Sequence, residues 1–433
     1  MAKKAFFVGI KGVGMTALAL AMQESGWQVA GSDTTEVFIT DHILSEQSLG
    51  VRPLGSALPS DLDLVVYSGA YPPPQTSIQT LPLAEALAEL VKDRSVIAVA
   101  GVGGKTTTSA MLATMFKNAG RDVGYYIGTS DVIGLSKPGS AGSDSIFIVE
   151  ADEYAISKTD KRPKFTLLNP HIFITTNIKY DHPDIYKNES STLAVFREYI
   201  ERLRESATWI ACEDDPLTRK LLATTSHLCQ VVTYSKNNSL IDKLDLSVFG
   251  DHNKLNAVAA VLAGIQSGLP ESAAITGIKS YQGSKRRQEK IGQVAGRLLY
   301  DDYAHHPHEI KATISAFKKE FPSNRIVVVF ESHTYSRTEA LLSQFAKTLA
   351  LADHIYLMPI FESAREKGQP HTVTPASFES AVKKHNPQVK ALTWDDAEAI
   401  IAKETKPGDL ILTMGAGFVY KLHEKIICIL KNK

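Results

Sequence analysis

The chain has 433 residues, enough for about three compact domains. Its 47 basic and 47 acidic side chains leave no formal net charge, which excludes capture of nucleic acid or an anionic membrane by bulk electrostatics and requires any anionic ligand to be bound locally. Three scattered cysteines, Cys212, Cys229 and Cys428, form no Cys-x-x-Cys pair and exclude a disulfide framework or a cysteine-based zinc site.

Lys3 and Lys4 precede an apolar run over residues 5–10 that superficially looks like the start of an export signal, but Lys11 and two glycines interrupt it. No run approaches the ~18–20 apolar residues needed to cross a bilayer, so a cytoplasmic protein is expected. Apolar runs recur at residues 5–10, 64–67, 96–100, 146–149, 172–175, 298–300, 326–330, 354–358 and 410–413, each closed by Gly, Asp, Asn or Pro and followed by helical spacing. That alternation predicts an α/β fold built on parallel sheets. The runs fall into three clusters, which sets expected domains at 1–94, 95–292 and 293–433. The first closes with a predicted helix over 82–91 and the polar joint Lys92-Asp93-Arg94, and the second ends near the basic, turn-rich stretch Gly283-Ser284-Lys285-Arg286-Arg287.

The first strand turns into Gly9-Ile-Lys-Gly12-Val13-Gly14-Met15 and a helix-like run. Such glycines let a backbone approach a phosphate at a helix N-terminus. The GxxGxG spacing departs from the dinucleotide fingerprint, although Ser32-Asp33 stands where a ribose-binding acid would. A ligand-free turn, a nicotinamide site and a nucleotide diphosphate site all remain open here. The sharpest motif is Gly101-Val102-Gly103-Gly104-Lys105-Thr106-Thr107-Thr108, preceded by an apolar strand and followed by a helical segment. Its backbone N–H groups and Lys105 suit the phosphates of ATP, and a hydroxyl, Thr106, suits Mg²⁺. The strict GxxxxGK[ST] spacing is not met, so the loop is a shorter relative.

Glu150, at the end of the run 146–149, is the expected metal carboxylate, ahead of Asp152 and Glu153. Asn177, Asp181, His182 and Asp184 follow another strand, where His182 is a candidate metal ligand or simply a solvated turn residue. His252, Asn253 and Asn256 open an alanine-rich helix and offer either purine-edge contacts or a cap. Arg286 and Arg287 suit a phosphate or carboxylate, or a solvated charge run. In the last third, three strands unload Asp301-Asp302-Tyr303-Ala304-His305-His306, then Glu331-Ser332-His333-Thr334-Tyr335-Ser336-Arg337-Thr338, then Ala364-Arg365-Glu366-Lys367. Polar density at the carboxyl ends of strands predicts the binding edge for a second substrate.

In this order, GxxGxGM, GGKTTT, EADE, the stretch 177–182, HNxxNA, KRR, DDYAHHP, HTYSRT and AREK resemble the Mur ligase family of peptidoglycan synthesis over nearly the whole chain. The resemblance implies three domains: an N-terminal Rossmann-like domain for a UDP-sugar, a central P-loop ATPase-like domain, and a C-terminal Rossmann-like domain that meets an amino acid. It implies ATP- and Mg²⁺-dependent amide formation through an acyl phosphate, joining L-alanine to UDP-N-acetylmuramate, with a tripeptide as the alternative second substrate. Carried over by motif, Gly101, Gly103, Gly104, Lys105, Thr106 and Thr107 would cradle phosphate. Thr106 and Glu150 would hold one Mg²⁺, and Glu150 with His182 a second. His252, Asn253 and Asn256 would face adenine, and Asp302 and His306 the ATP ribose or phosphates. Arg286, Arg287, His333 and Arg337 would meet the sugar nucleotide or acyl phosphate, and Gly12, Val13, Gly14 and Ser68 the UDP moiety. Lys105, Glu150, His182, His333 and Arg337 form the expected catalytic set.

The family commonly reads GTHGKTTT, where this chain has Val102 and Gly103, and no lysine lies between Lys187 and Lys220 to supply the carbamylated lysine of several relatives. Partners are expected to be small molecules, with the chain a monomer or weak homodimer. Two readings from other classes compete: a nucleotide-sugar dehydrogenase built on the first glycine turn, and an ATP-binding protein without chemistry, suggested by the altered loop.

Overall fold

A computed structural model describes residues 2–363, 366, 368 and 370–431. All nine apolar runs are strands, and the predicted helix over 82–91 is Leu83–Val91. Of the motif 364–367, Ala364, Arg365 and Lys367 lie outside the described residues.

Three sheets form the frame. The first contains β1 (Lys4–Val8), β2 (Gln28–Asp33), β3 (Gly50–Pro53), β4 (Leu64–Tyr67) and β5 (Thr80–Pro82), all parallel, in the order β3-β2-β1-β4-β5. The second contains β6 (Ser95–Ala100), β7 (Gly124–Tyr126), β8 (Gly139–Ser140), β9 (Ile146–Glu150), β10 (Ile172–Thr175), β11 (Thr208–Cys212) and β12 (Gln230–Tyr234), in the order β12-β11-β10-β6-β9-β7-β8. Only β7 and β8 pair antiparallel there. The third contains β13 (Glu289–Val294), β14 (Arg297–Asp302), β15 (Arg325–Phe330), β16 (His354–Leu357), β17 (Val389–Ala391) and β18 (Asp409–Met414), in the order β13-β14-β18-β15-β16-β17. Its antiparallel pair is β13 with β14.

The central strands are apolar on both faces because helices cover both sides of a parallel sheet. Thus β6, β10 and β15 are buried almost throughout. The helix Lys105–Asn118 is buried from Thr106 to Phe116, which explains its lack of a polar stripe. Capping sets several helix starts: Asn188 and Ser191 form a reciprocal box, and Asp215 caps a helix that begins with Pro216.

The chain divides into two compact units. The first comprises residues 1–180, 185–247 and 253–285 and carries the first two sheets. The second comprises 181–184, 248–252 and 286–433 and carries the third. Among the described residues no helix is long and apolar enough to cross a membrane.

Candidate active site

In the second sheet, connections after β6 lead to β7 and β9 on one side, and those after β10 lead to β11 and β12 on the other. The carboxyl ends of β6 and β10 therefore flank a topological switch point, where open α/β sheets bind ligands. Loop 101–104 lies there and runs directly into the helix Lys105–Asn118. Gly101 (φ +127°) and Gly104 (φ +90°) adopt backbone conformations that favour glycine, and each is packed tightly. A Cβ on Gly101 would strike the Thr176 hydroxyl and the Asn177 backbone, and one on Gly104 would strike the Asn256 carboxamide.

The two residues after β10 clamp the loop. Thr176 Oγ1 and Asn177 Nδ2 each donate to the Gly103 carbonyl at 2.7 Å, and Asn177 Oδ1 accepts from Gly103 N at 3.0 Å. The loop is thus shaped before any ligand arrives. Thr106 Oγ1 donates to Glu150 Oε1 at 2.9 Å, and the other oxygen of Glu150 accepts from Gly128 N at 2.7 Å. A hydroxyl and a carboxylate side by side at a helix N-terminus are hard oxygen donors that fit Mg²⁺.

Lys105 Nζ donates to the Gly101 carbonyl at 2.7 Å and to both carboxylate oxygens of Glu153 at 2.8 and 3.1 Å. Burial opposes its charge, but the carboxylates of Glu153, Asp152 and Glu150 outweigh it and hold Lys105 protonated, above its ordinary range. Asp152 pairs instead with Lys164 at 2.6 Å.

The first sheet repeats the design. Helix Val13–Glu24 starts at Gly12 with no side-chain cap, and Ser68, following β4, donates its N–H to Val8. Ser68 lies against Gly9, so the loop of Gly12, Val13 and Gly14 and the end of β4 meet at that sheet's own switch point. Asp33 accepts from Lys11 N and Thr34 N at 2.7 and 2.8 Å, and Lys11 Nζ pairs with Asp41 at 3.1 Å. A cavity of about 390 Å³ opens beside them, lined also by Ser45 and Arg52.

In the second unit, Arg337 grips the segment 181–184. Its Nε and Nη2 donate to the two oxygens of Asp181 at 2.7 and 3.2 Å, and Nη1 donates to the His333 carbonyl at 3.1 Å. Burial opposes the Asp181 charge, yet Arg337, with His182 and His306, holds this carboxyl well below the usual range. His182 has φ +56°; its N–H bonds Asp181 Oδ1 at 2.7 Å, and its Nδ1 lies 3.4 Å from Arg337 Nη2. His333 stacks on Phe361, and burial beside Arg337 and His305 keeps it neutral, well below its ordinary range.

His306 caps the helix Pro307–Glu320, accepting from His308 N at 3.1 Å, while Glu309 Oε2 accepts from His305 N and His306 N. Burial pushes Asp302 up to about 6 despite N–H donors from Gln288 and Ala304. Arg286 is 6% exposed and engaged throughout: Asp301 at 2.8 Å, the carbonyls of Gly415 and Gly417 at 2.6 and 3.1 Å, and the rings of Tyr303 and Tyr420. Arg287 lies over Tyr303 and 3.9 Å from Glu309. His252 sits in this unit, 3.5 Å from Gln288 Nε2, whereas Asn253 and Asn256 belong to the first.

Sequence reasoning missed the clamp residue Thr176, the donor Gly128, the pairing of Glu153 with Lys105, and Glu309. For Glu309 a signal existed: Pro307 at a first helical position with an acid two residues later marks a capped start. Gly128 left no local sign, being brought to Glu150 by strand pairing.

A clamped glycine loop opening a buried helix, with a lysine at its start and a hydroxyl against a carboxylate, has the donors and charge that suit a phosphate on an α/β sheet. Three family models match successive stretches: the Mur ligase family catalytic domain over residues 4–95, the Mur ligase middle domain over 99–244, and the Mur ligase glutamate ligase domain over 286–417. The UDP-N-acetylmuramate--L-alanine ligase of Desulfitobacterium hafniense (strain Y51) is 31% identical, with 98% of this chain and 99% of the relative covered. That of Desulforamulus reducens is 34% identical, with 100% and 98% covered. The chain belongs to the Mur ligase family. Two solved structures, UDP-N-acetylmuramate-alanine ligase from Thermotoga maritima (TM-score 0.76, 22% identity, 98% of each chain) and a murein peptide ligase from Psychrobacter arcticus (0.75, 24%, 100% and 99%), are similar in fold.

Proposed function

We propose that this protein is a cytoplasmic ATP-dependent ligase that joins L-alanine to UDP-N-acetylmuramate in the making of peptidoglycan precursors. The observation that carries the reading is the loop 101–108, with Lys105 and the Thr106–Glu150 pair beside it, in a chain similar end to end to alanine ligases.

A carboxylate is a poor electrophile, so amide formation needs one of its oxygens turned into a leaving group. Transfer of the γ-phosphoryl of ATP to the muramoyl carboxylate does this: the P–O bond to ADP breaks, a P–O bond to the carboxylate forms, and alanine's neutral amine then displaces phosphate and loses a proton. Lys105 and the N–H groups of the helix start bind and orient the phosphates. Thr106 and Glu150 would hold Mg²⁺, which when bound would supply charge neutralisation for the phosphates. The loop 12–14, Ser68 and the cavity beside Asp33 are assigned to the UDP moiety, the cavity being of a size to take a nucleoside. In the second unit His333 and Arg287 are assigned to the sugar nucleotide or its acyl phosphate, and His182 to metal.

A second reading, ligation of a tripeptide to the same sugar nucleotide, is favoured by the murein peptide ligase among the structural neighbours, whose TM-score is within 0.01 of the alanine ligase's. A substrate screen decides. L-alanine supporting turnover at least tenfold better than L-serine, glycine or the tripeptide is expected, and preference for the tripeptide would replace the first reading with the second.

A further inference from the structure

The helix Val13–Glu24 lies against the second sheet from end to end. A Cβ on Gly14 would meet the Tyr126 hydroxyl oxygen at 2.4 Å, and one on Gly139 the Ala17 carbonyl at 1.9 Å, while Glu24 accepts from Ala141 N at 2.7 Å. Tyr126, the last residue of β7, thus reaches out of its own sheet and touches the first turn of this helix. The φ of Gly14 is not positive, so the close approach of the hydroxyl, and not the backbone conformation, is what requires glycine there.

Buried tyrosine hydroxyls ordinarily find a partner. Tyr199 donates to the Leu168 carbonyl at 3.0 Å, Tyr186 to the Glu153 carbonyl at 2.7 Å, and Tyr356 to Glu404 at 2.8 Å. Tyr126 is 8% exposed, yet its hydroxyl has no hydrogen-bond partner among the described residues. Burial, with Asp152 and Glu150 nearby, pushes it above its ordinary range, so it stays protonated and can donate. The helix start beside it is short of an anion: Gly12 offers no side-chain cap, and the first turn carries no acidic residue. Its N–H groups and the positive end of its dipole therefore suit a phosphate.

We propose that the Tyr126 hydroxyl donates a hydrogen bond to the diphosphate of the sugar nucleotide at the start of helix Val13–Glu24. The inference rests on the assignment of the UDP moiety to the loop of Gly12, Val13 and Gly14. In it, the first sheet supplies backbone donors and the second sheet one side-chain donor. The ring is held by burial, so little freedom is lost when the ligand arrives. Tyr126 pairs with Val149, the residue before Glu150, so a diphosphate bonded to it stands in a fixed relation to the Thr106–Glu150 pair.

The test is calorimetric binding of UDP, of uridine and of a non-hydrolysable ATP analogue with Mg²⁺, on the full chain. Tyr126→Phe keeps the ring and breaks no hydrogen bond within the described residues. It is expected to weaken UDP about tenfold, the loss of one hydrogen bond to a charged acceptor, and to change uridine and the ATP analogue by less than about twofold. UDP affinity unchanged, or uridine weakened as much as UDP, overturns the proposal. Gly14→Ala provides an independent check of the geometry. It is expected to lower the unfolding midpoint of the parent, and to lower it less in the Tyr126→Phe background, where the atom at 2.4 Å is gone. Equal losses in the two backgrounds would remove the contact on which the proposal stands. A parent protein that binds the ATP analogue but neither UDP nor uridine would overturn the assignment of loop 12–14, and the proposal with it.

Discussion

The glycine loop of the first unit and the strand ends of the second unit both carry polar residues but use them differently. Around loop 101–108, groups of the loop and the helix start meet residues that follow neighbouring strands or end them: Lys105 meets Glu153, Thr106 meets Glu150, and Gly103 meets Asn177. In the second unit two of the three arginines expected to reach substrate are bonded within their own unit, Arg286 to Asp301 and two carbonyls, Arg337 to Asp181 and the His333 carbonyl. Polar density at a strand end therefore covers two arrangements, a glycine loop bonded to the ends of neighbouring strands and buried arginines bonded within their own unit.

The comparison breaks first at Lys105. Lys105→Ala is expected to lower turnover by about 10³-fold or more, because it removes the only lysine in the glycine loop, with far-ultraviolet circular dichroism unchanged. Activity near that of the parent would place the phosphates elsewhere.

Next in size is the pair Arg337–Asp181, both side chains at most 5% exposed. Arg337→Ala strands the Asp181 carboxylate and is expected to cost about 3–5 kcal/mol in denaturant unfolding. Arg337→Met combined with Asp181→Asn is expected to cost less than the sum of the two single changes. Additive losses would mean that Arg337 and Asp181 act separately, and would return Arg337 to the substrate side of the comparison.

Smallest is an effect of pH at Glu331. Burial pushes this carboxyl from 4.5 to about 7 even though Val419 N donates to it at 2.7 Å. Between those values the folded chain holds a proton that the unfolded chain has lost, so stability falls as pH rises from about 4.5 to 7. Glu331→Gln is expected to remove that slope and to be more stable than the parent by about 2–3 kcal/mol at pH 8, with no difference at pH 4. Parallel stability curves for the two proteins across this range would rule it out.

The parts legible in the sequence are those written over a few adjacent residues. An apolar run closed by Gly101-Val102-Gly103-Gly104-Lys105 announces strand, loop and helix together, and 326–330 announces a buried strand by its own composition. The edge strand β3, Gly50–Pro53, is exposed along its length, so no apolar pattern betrays it. What sequence reading could not reach are pairings across long separations. Asn177 meets Gly103 across 74 residues, Glu153 meets Lys105 across 48, and Asp181 meets Arg337 across 156. Each of those residues carries a side chain compatible with several roles, and only the strand order decides which partner it finds. Arg286 illustrates this: as one of three successive basic residues it reads as a ligand contact or a solvated charge, yet in the fold it is buried between two tyrosine rings.

The most direct test of the ligase assignment is the stoichiometry of phosphate release by the purified chain with Mg²⁺ present. One phosphate released per amide formed, only when ATP, UDP-N-acetylmuramate and L-alanine are supplied together, is the predicted result. Phosphate release that proceeds at the same rate when either acceptor is omitted, or no UDP-N-acetylmuramoyl-alanine formed with all three present, would contradict it.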